Sequence, residues 1–142
     1  MVCAHFAARF EEQVTARILV TDDEAGMRRS LAMMLRREGY HVAEAGSVAE
    51  ALRYLRGERY DLIIADLKME PLNGIDLLTL ARKYHPECPV IIITAFGSPE
   101  TRSEALRLGA ADFLDKPLQA TNLFLRIREI ITERERGTTH GN

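Results

Sequence analysis

The sequence predicts a doubly wound α/β domain, in which a five-stranded parallel sheet carries helices on both faces. Short runs of Ile, Leu and Val alternate with helical patterns, so that a strand is followed by a helix five times. The strongest runs are apolar at nearly every position, which is typical of strands buried on both faces, and parallel neighbours need a crossover helix between them. A length of 142 residues fits one domain.

Five segments have the composition of strands. "RILVTD" (17–22), "DLIIAD" (61–66) and "PVIIIT" (89–94) are the strongest, because they are rich in Ile, Leu and Val. "HVAEA" (41–45) and "ADFL" (111–114) are weaker. These segments define the order of the predicted strands.

The first predicted helix follows the first strand. Met27, Leu31, Met34 and Leu35 share one face at positions i, i+4, i+7 and i+8, and Gly39 is a typical stop. The later helices have start signals instead: Ser47 and Glu50 suggest a capping box, and Pro99 fits a first turn. These helices are predicted over about residues 47–56, 74–84, 99–108 and 118–134.

Composition excludes several classes of protein. A net charge of -2 and a pI near 6.1 do not provide the basic surface of a nucleic-acid-binding domain, so we expect no direct DNA contact. The longest apolar run, within residues 89–96, is far shorter than the ~20 residues of a membrane-spanning helix. The first residues, "MVCAHFAARFEEQ", lack the features of a secretory signal, and Cys3 and Cys88 have no metal-binding spacing. We therefore expect a cytoplasmic protein with no membrane segment.

Polar residues follow four of the five predicted strands. Asp22 and Asp23 end the first strand, Asp66 the third and Thr94 the fourth, while Lys116 comes just after the fifth. Functional groups in doubly wound sheets lie outside the carboxyl ends of the strands, so these side chains are expected to converge.

A cluster of carboxylates at this edge predicts a specific chemistry. Neighbouring carboxylates repel one another and raise each other's pKa unless a cation neutralises them. Mg²⁺ binds such oxygens and also accepts phosphate oxygens, which allows a carboxylate to attack a phosphoryl donor and form an aspartyl phosphate. Lys116 and Thr94 are suitable donors to the transferred phosphoryl group.

Four stretches together resemble one family, the receiver domains of bacterial two-component response regulators. They are "ILVTDDE", "DLIIADLKMEPLNGIDLL", "IIITAFGS" and "GAADFLDKPL", and the likeness covers about residues 17–134. The resemblance implies a flavodoxin-like fold with strand order 2-1-3-4-5 and phosphorelay signal transduction. The stretch from Ile93 to Pro117 further resembles receivers of ATP-hydrolysing, enhancer-binding transcription activators, which implies a role in transcription regulation.

Carried over by position, the resemblance assigns the metal site and the phosphorylation site. Asp66 corresponds to the phosphoacceptor, and Asp22 and Asp23 to the acidic pair that binds Mg²⁺. Asp66 and the backbone carbonyl of Lys68 complete the implied set of metal ligands. Lys68 and Phe96 stand two residues after Asp66 and Thr94, where we expect them to modulate hydrolysis of the acyl phosphate.

The resemblance also assigns the residues of a conformational switch. Thr94 corresponds to the switch hydroxyl, and Phe113 to the aromatic switch position. Lys116 corresponds to the lysine that pairs with the phosphoryl group, and the bond from Lys116 to Pro117 is expected to be cis.

Some positions depart from the pattern of the family. Glu70 stands where many relatives have proline, and Pro71 follows it. Phe113 lacks the hydroxyl that a tyrosine would carry. Arg102 and Ser103 stand where relatives of the activator subclass often have small apolar residues, so the fourth helix is expected to be more polar here.

The same residues are also compatible with different roles. Asp22 or Asp23 alone could cap a helix. A haloacid-dehalogenase-like phosphatase also forms an aspartyl phosphate, but it has a second acid two residues after its nucleophile, where this chain has Lys68. A scaffold receiver that works without phosphorylation is the third possibility. The leading hypothesis is a signalling phosphoacceptor that catalyses only its own phosphorylation and dephosphorylation, not an enzyme acting on other substrates.

The resemblance implies partners at both ends of the signalling step. A sensor histidine kinase or a phosphotransfer protein would supply the phosphoryl group, and an output domain or a downstream protein would read it. Leu125 lies off the expected buried stripe of the last helix and suggests a phosphorylation-dependent homodimer. The receiver is expected to lie between an N-terminal extension over 1–16, which could be helical, and a polar tail over 135–142.

Overall fold

The computed structural model describes residues 16–140, and in that range the predicted strand and helix alternation is confirmed. The five strands form one parallel sheet in the order β2-β1-β3-β4-β5, as the resemblance implied. In chain order the elements are β1 Arg17–Thr21, α1 Ala25–Arg37, β2 His41–Ala45, α2 Val48–Gly57, β3 Leu62–Asp66, α3 Gly74–Tyr84, β4 Val90–Thr94, α4 Pro99–Arg107, β5 Asp112–Asp115 and α5 Ala120–His140.

The sheet is buried on both faces because its strands are apolar at successive positions. Every residue of β3 and of β4 is buried. Alternate side chains point to opposite faces: Ile63 packs with the α2, α3 and α4 side, whereas Ile64 packs with the α1 and α5 side. The apolar clusters on the two faces fix β1, β3 and β4 relative to one another. The carboxyl ends of these strands therefore lie at one edge of the sheet.

Local signals at the helix ends agree with the predictions in two places. Gly39 has φ 98° just after α1, a backbone conformation that favours glycine. Pro99 lies in the first turn of α4, whose N-cap residue Ser98 accepts a hydrogen bond from the backbone of Thr101. Both ends are therefore determined by residues near them in the sequence.

The capping box expected at the start of α2 is only half formed. Ser47 accepts a hydrogen bond from the backbone N–H of Glu50, but Glu50 accepts the N–H of Gly46 at 2.6 Å rather than that of Ser47. A complete capping box occurs instead at the start of α3, between Asn73 and Asp76.

The last helix is longer than its pattern predicts. Helix α5 begins at Ala120 rather than near Leu118, and it continues to His140 instead of ending at Arg134. The sequence "TERER" has high helix propensity and carries the helix into the segment that was expected to be a polar tail. Arg134 anchors this part of the helix through an ion pair with Asp61 and a hydrogen bond to the carbonyl of Glu87.

Two further expectations concern the N-terminal extension and membrane-spanning helices. The N-terminal extension falls outside the described residues, apart from Ala16, which is buried just before β1. Between residues 16 and 140, no helix has both the length and the apolar character needed to cross a membrane.

Candidate functional site

Three aspartates meet at the carboxyl edge of the sheet. Asp22 and Asp23 follow β1 and Asp66 ends β3, and these strands are neighbours in the sheet. Each residue offers a carboxylate oxygen, and these oxygens lie within 4.8 Å of one another. Asp22 and Asp66 are buried, whereas Asp23 is exposed. The predicted convergence of the three acids is therefore found in the structure.

Backbone contacts fix the position of Asp22. Its N–H donates to the carbonyl of Ala45 at 3.0 Å, and its side chain accepts the N–H of Glu24 at 2.9 Å. The N-cap residue of α1 is Glu24, and no side chain caps this helix. Helix capping therefore does not explain why two aspartates occupy this turn.

Arg28 supports the acidic turn from α1, a contact that sequence reasoning missed. Its guanidinium donates to the backbone carbonyl of Asp22 at 2.8 Å and lies 3.4 Å from the carboxylate of Glu44 on β2. The Asp22 carbonyl belongs to the peptide that joins Asp22 to Asp23, so Arg28 restricts the orientation of both acids. A basic residue one turn into the helix was the only available signal.

Lys116 reaches the acidic cluster from the edge strand of the sheet. Its Nζ lies 3.6 Å from Asp22 Oδ2 and 3.7 Å from Asp66 Oδ1, and its side chain is mostly buried. The Lys116 N–H donates to the carbonyl of Thr94 at 2.8 Å. The bond from Lys116 to Pro117 is cis, as expected, and so is the bond between Glu70 and Pro71.

Burial and charge raise the energy of the ionised cluster. Burial raises the pKa of the Asp66 carboxyl, the charge of Asp22 raises this pKa further, and Lys116 lowers it. One lysine therefore does not fully offset the desolvation and the repulsion between carboxylates. Such a site gains stability from a bound cation.

We expect Asp66→Asn to raise the melting temperature of the metal-free protein near neutral pH. The folded-state pKa of Asp66 lies above its unfolded value, so the native state holds more protons between the two values and stability falls as pH rises through that window. The variant should lack this fall. A gain of about 1 kcal/mol corresponds to roughly 2–8 °C in domains of this size, measurable by calorimetry in EDTA between about pH 4 and 7.

Asp115→Asn is the matched control for this measurement, because Asp115 ends β5 at the same edge of the sheet but is exposed. Its melting temperature should follow the wild-type pH dependence. A melting temperature of Asp66→Asn at or below that of the wild type throughout would show that the carboxylate of Asp66 is not destabilising.

Gly74 allows α3 to begin directly against the backbone of Asp66. A Cβ placed on Gly74 would lie 2.6 Å from the carbonyl oxygen of Asp66 and 2.9 Å from the Cα of Leu67. The Gly74 N–H donates to the Leu67 carbonyl at 2.9 Å. Both close partners are backbone atoms, so only glycine fits here.

Thr94 and Phe113 lie together beneath the loop that joins β4 to α4. Both side chains are buried, and Thr94 Oγ1 accepts the N–H of Phe96 at 3.2 Å. A Cβ on Gly97 would lie 2.8 Å from Cε1 of Phe113 and 3.0 Å from Cγ2 of Thr94. The ring of Phe113 therefore points inward and packs under the loop.

Lys68 and Phe96 meet at the mouth of the site. The Nζ of Lys68 lies 4.8 Å from the centroid of the Phe96 ring, which is 75% exposed. The pair joins the loop after β3 to the loop after β4. An open cleft of about 690 Å³ begins beside it and is lined by Asp23, Leu67, Lys68, Met69, Glu70, Asn73, Ile75, Asp76, Thr101 and Glu104.

Other titratable groups do not provide a second site. Burial raises the pKa of the Cys88 thiol to about 12, so this cysteine is an inert part of the core. Among residues 16–140, the three aspartates at the sheet edge are the only His, Cys, Asp and Glu grouping with metal-binding geometry.

A parallel sheet with a lysine beside three aspartates at its carboxyl edge defines a class of α/β domain whose acidic edge can bind a divalent cation. A comparison with protein families gives a match to "Response regulator receiver domain" over residues 18–128. The chain belongs to this family. A receiver is a signalling domain of two-component systems, and the resemblance stated from the motifs is confirmed.

Similar proteins agree with this assignment. The transcriptional regulatory protein GlrR of Escherichia coli is 38% identical over 83% of this chain, and ZraR of the same organism is 42% identical over 75%. The chain spans about a quarter of each relative, 27% and 24%. A crystal structure of a CheY-like receiver domain protein from Methanospirillum hungatei is 31% identical, with a TM-score of 0.82 over 85% of this chain and 97% of its own.

Proposed function

We propose that this receiver accepts a phosphoryl group on Asp66 from a phosphohistidine of a sensor kinase or a phosphotransfer protein. A carboxylate oxygen of Asp66 attacks the phosphorus atom, a P–O bond forms and the P–N bond to histidine breaks. The imidazole nitrogen keeps the bonding electron pair and takes a proton from water. The observation that carries this proposal is the cluster of three aspartates with Lys116 at the carboxyl edge.

The donor set fits Mg²⁺, which binds carboxylate and carbonyl oxygens. Asp22, Asp23 and Asp66 would hold the ion together with the backbone carbonyl of Lys68. When bound, Mg²⁺ supplies positive charge that offsets the carboxylates and the phosphoryl oxygens. Asp22 is buried and Asp23 is exposed, so Asp22 would hold the ion from the protein side and Asp23 from the solvent side.

Two side chains of the cluster stabilise charge during transfer. Lys116 already lies within 3.7 Å of Asp66 and carries a charge of the correct sign for a phosphoryl oxygen. The hydroxyl of Thr94 is buried beside the site and can exchange its contact with the Phe96 N–H for one with the phosphoryl group. This exchange couples the chemistry to the loop between β4 and α4.

The alternative functions have less support. The phosphatase hypothesis needs an acid two residues after the nucleophile, and Lys68 is engaged with Phe96 at this position. A scaffold receiver would not need three aspartates and a lysine to stay together. We therefore propose a phosphoacceptor that promotes its own phosphorylation and the hydrolysis of its own acyl phosphate.

The partners of this receiver follow from the proposed chemistry. Its phosphoryl donor is a kinase or a phosphotransfer protein, and its reader is an output domain or a separate downstream protein. The relatives are named transcriptional regulatory proteins, and we propose that this chain works in the cytoplasm. DNA contact belongs to the output and not to this acidic domain.

The test of the proposal is covalent labelling. The protein is incubated with acetyl phosphate and Mg²⁺, and its intact mass is measured. One added phosphoryl group that is stable in acid and labile in base supports an acyl phosphate. A mass that stays unchanged while Mg²⁺ is bound would overturn the proposal.

We expect Phe96→Ala to shorten the lifetime of the acyl phosphate. The Phe96 ring and the Lys68 ammonium cover the mouth of the site, so they hinder the water that hydrolyses the phosphoryl group. Removing the ring should accelerate decay roughly two- to tenfold, since a cation–π contact is worth ~0.5–1 kcal/mol and access for water improves as well. Loss of the phosphorylated mass with time measures the rate.

Tyr84→Ala is the matched control for the lifetime. Tyr84 is also an exposed ring, with Lys83 Nζ 5.2 Å from its centroid, but it lies at the end of α3. Its decay rate should equal that of the wild type. If Phe96→Ala decays at the same rate too, the ring does not shield the phosphoryl group.

We expect phosphorylation to favour a homodimer through the face formed by α4, β5 and α5. Leu125 is 54% exposed on α5 and Leu106 is 43% exposed on α4. Arg126, which follows Leu125 in the sequence, pairs with Asp112 at 2.7 Å within the chain. Leu125→Arg should therefore block dimer formation by placing an unpaired charge in an apolar contact, while phosphorylation continues.

Sedimentation velocity with and without beryllofluoride and Mg²⁺ tests this face. Met33→Arg serves as control, since Met33 is similarly exposed on α1, away from the proposed interface. The control should dimerise like the wild type. A wild-type monomer under both conditions at high concentration would rule the dimer out.

A further inference from the structure

We propose that Arg102 positions the switch ring of Phe113 by holding it in the inward orientation. The inference rests on the proposed function, because the inward ring matters only if phosphorylation is coupled to it. Arg102 is one of the residues that depart from the pattern of related receivers, and its side chain makes two contacts with the same residue on β5.

The two contacts come from one guanidinium. Nη1 of Arg102 donates to the backbone carbonyl of Phe113 at 2.9 Å. The Cζ of the same group lies 5.8 Å from the centroid of the Phe113 ring, within the ~6 Å limit of a cation–π interaction. A single side chain of α4 therefore binds both the backbone and the ring of the switch residue.

The other neighbours of the Phe113 ring show which side of it Arg102 covers. Gly97, in the loop after β4, lies against both the ring and the methyl group of Thr94, which ends β4, and only 1% of Phe113 is exposed. Arg102 approaches the ring from α4. The ring thus lies between the loop that follows Thr94 and the exposed guanidinium of Arg102.

This geometry has a consequence for the equilibrium between two ring orientations. Because the cation–π contact needs the ring beside the guanidinium, it stabilises the inward orientation selectively. A phosphoryl group that draws Thr94 toward Asp66 leaves room for an inward ring, so phosphorylation and Arg102 favour the same orientation. Arg102 therefore raises the population of protein that is ready to bind the phosphoryl group.

The contact also links the ring to a particular helix. Arg102 lies in the first half of α4, so a ring that turns outward loses its cation–π contact with this helix, while the hydrogen bond to the Phe113 carbonyl can stay in place. Small apolar side chains at this position would not bind the carbonyl of Phe113. The polar residue Arg102 on α4 therefore has a role in the switch and does more than make this face of the helix soluble.

The ring orientation can be measured in the metal-free protein by ¹⁹F NMR after labelling with 4-fluorophenylalanine. Phe113→Leu assigns the signal of the ring. Arg102→Ala should move this signal toward the solvent-exposed value, whereas Arg107→Ala, an exposed arginine on the same helix, should leave it unchanged. A cooperative melting transition in each variant establishes that the fold is retained.

The affinity for beryllofluoride in the presence of Mg²⁺ gives the second measurement. Loss of the contact should weaken binding roughly two- to tenfold, because the apparent affinity falls with the population of the competent orientation. A wild-type ring signal together with wild-type affinity in Arg102→Ala would overturn the proposal, and so would tighter binding. If the wild type binds no beryllofluoride, the proposed function fails, but the metal-free ring signal still decides the role of Arg102.

Discussion

Replacing Asp66 with alanine should abolish covalent labelling by acetyl phosphate. Asp66 is the aspartate of the cluster that ends the central strand β3, and Lys116 lies 3.7 Å from its Oδ1. Burial and the charge of Asp22 raise the pKa of Asp66, which makes its carboxylate more basic than an exposed one and hence a better nucleophile. The wild type should gain one phosphoryl group in the intact-mass measurement, and the variant none.

The neighbouring acids provide the controls for this result. Asp115→Asn changes an exposed carboxylate at the same edge and should be labelled like the wild type. Calorimetry of Asp66→Ala must show a folded protein, which is expected because the substitution removes a charge that is costly to bury. Labelling of Asp66→Ala at the wild-type rate would contradict the assignment and would direct attention to Asp22 or Asp23.

The fold could be predicted because its signals are local and repeated. Continuous apolar runs identify β3 and β4 as central strands, and Gly39 and Pro99 mark helix ends without reference to distant residues. Convergence of the acids also follows from topology alone, because parallel strands end at one edge. The sequence therefore predicted correctly that Asp22 and Asp23 lie close to Asp66, although none of these residues alone indicates a metal site.

The contacts of individual side chains could not be predicted in the same way. Arg28 binds the carbonyl of Asp22, and Arg102 binds Phe113, through rotamers that depend on packing across elements. Sequence identifies Gly74 as a helix start, but only the structure shows the 2.6 Å approach to the backbone of Asp66. These details decide how rigid the site is and which way the ring of Phe113 points.

The end of α5 shows a different reason for an incomplete prediction. Apolar periodicity stops near Ile131, so the pattern gives no evidence for a helix beyond Arg134. The helix continues because its backbone hydrogen bonds and the propensity of charged residues need no buried face. Buried stripes predict where a helix packs, and they say less about where it stops.

Removing Mg²⁺ or its exposed ligand should have the second largest effect on labelling. EDTA should reduce wild-type labelling to background, because no cation then offsets the three carboxylates and the incoming phosphoryl group. Asp23→Ala should weaken Mg²⁺ binding by about 100-fold or more. Loss of a residue that only hydrogen-bonds to a metal ligand already lowers metal affinity by about 10–100-fold, and Asp23 is proposed as a ligand itself. Isothermal titration measures the affinity, and labelling against Mg²⁺ concentration measures its consequence.

Glu24→Gln separates loss of a ligand from loss of nearby charge. Glu24 is an exposed acid next to Asp23 in the sequence, but it does not belong to the cluster of converging oxygens. Its removal changes the net charge by the same amount as Asp23→Ala, so it should reduce Mg²⁺ affinity only slightly, as expected for a screened surface charge. Because Asp23 is exposed, the core should be unaffected and Asp23→Ala should melt at or above the wild-type temperature. A wild-type dependence on Mg²⁺ in Asp23→Ala would place the metal away from this aspartate.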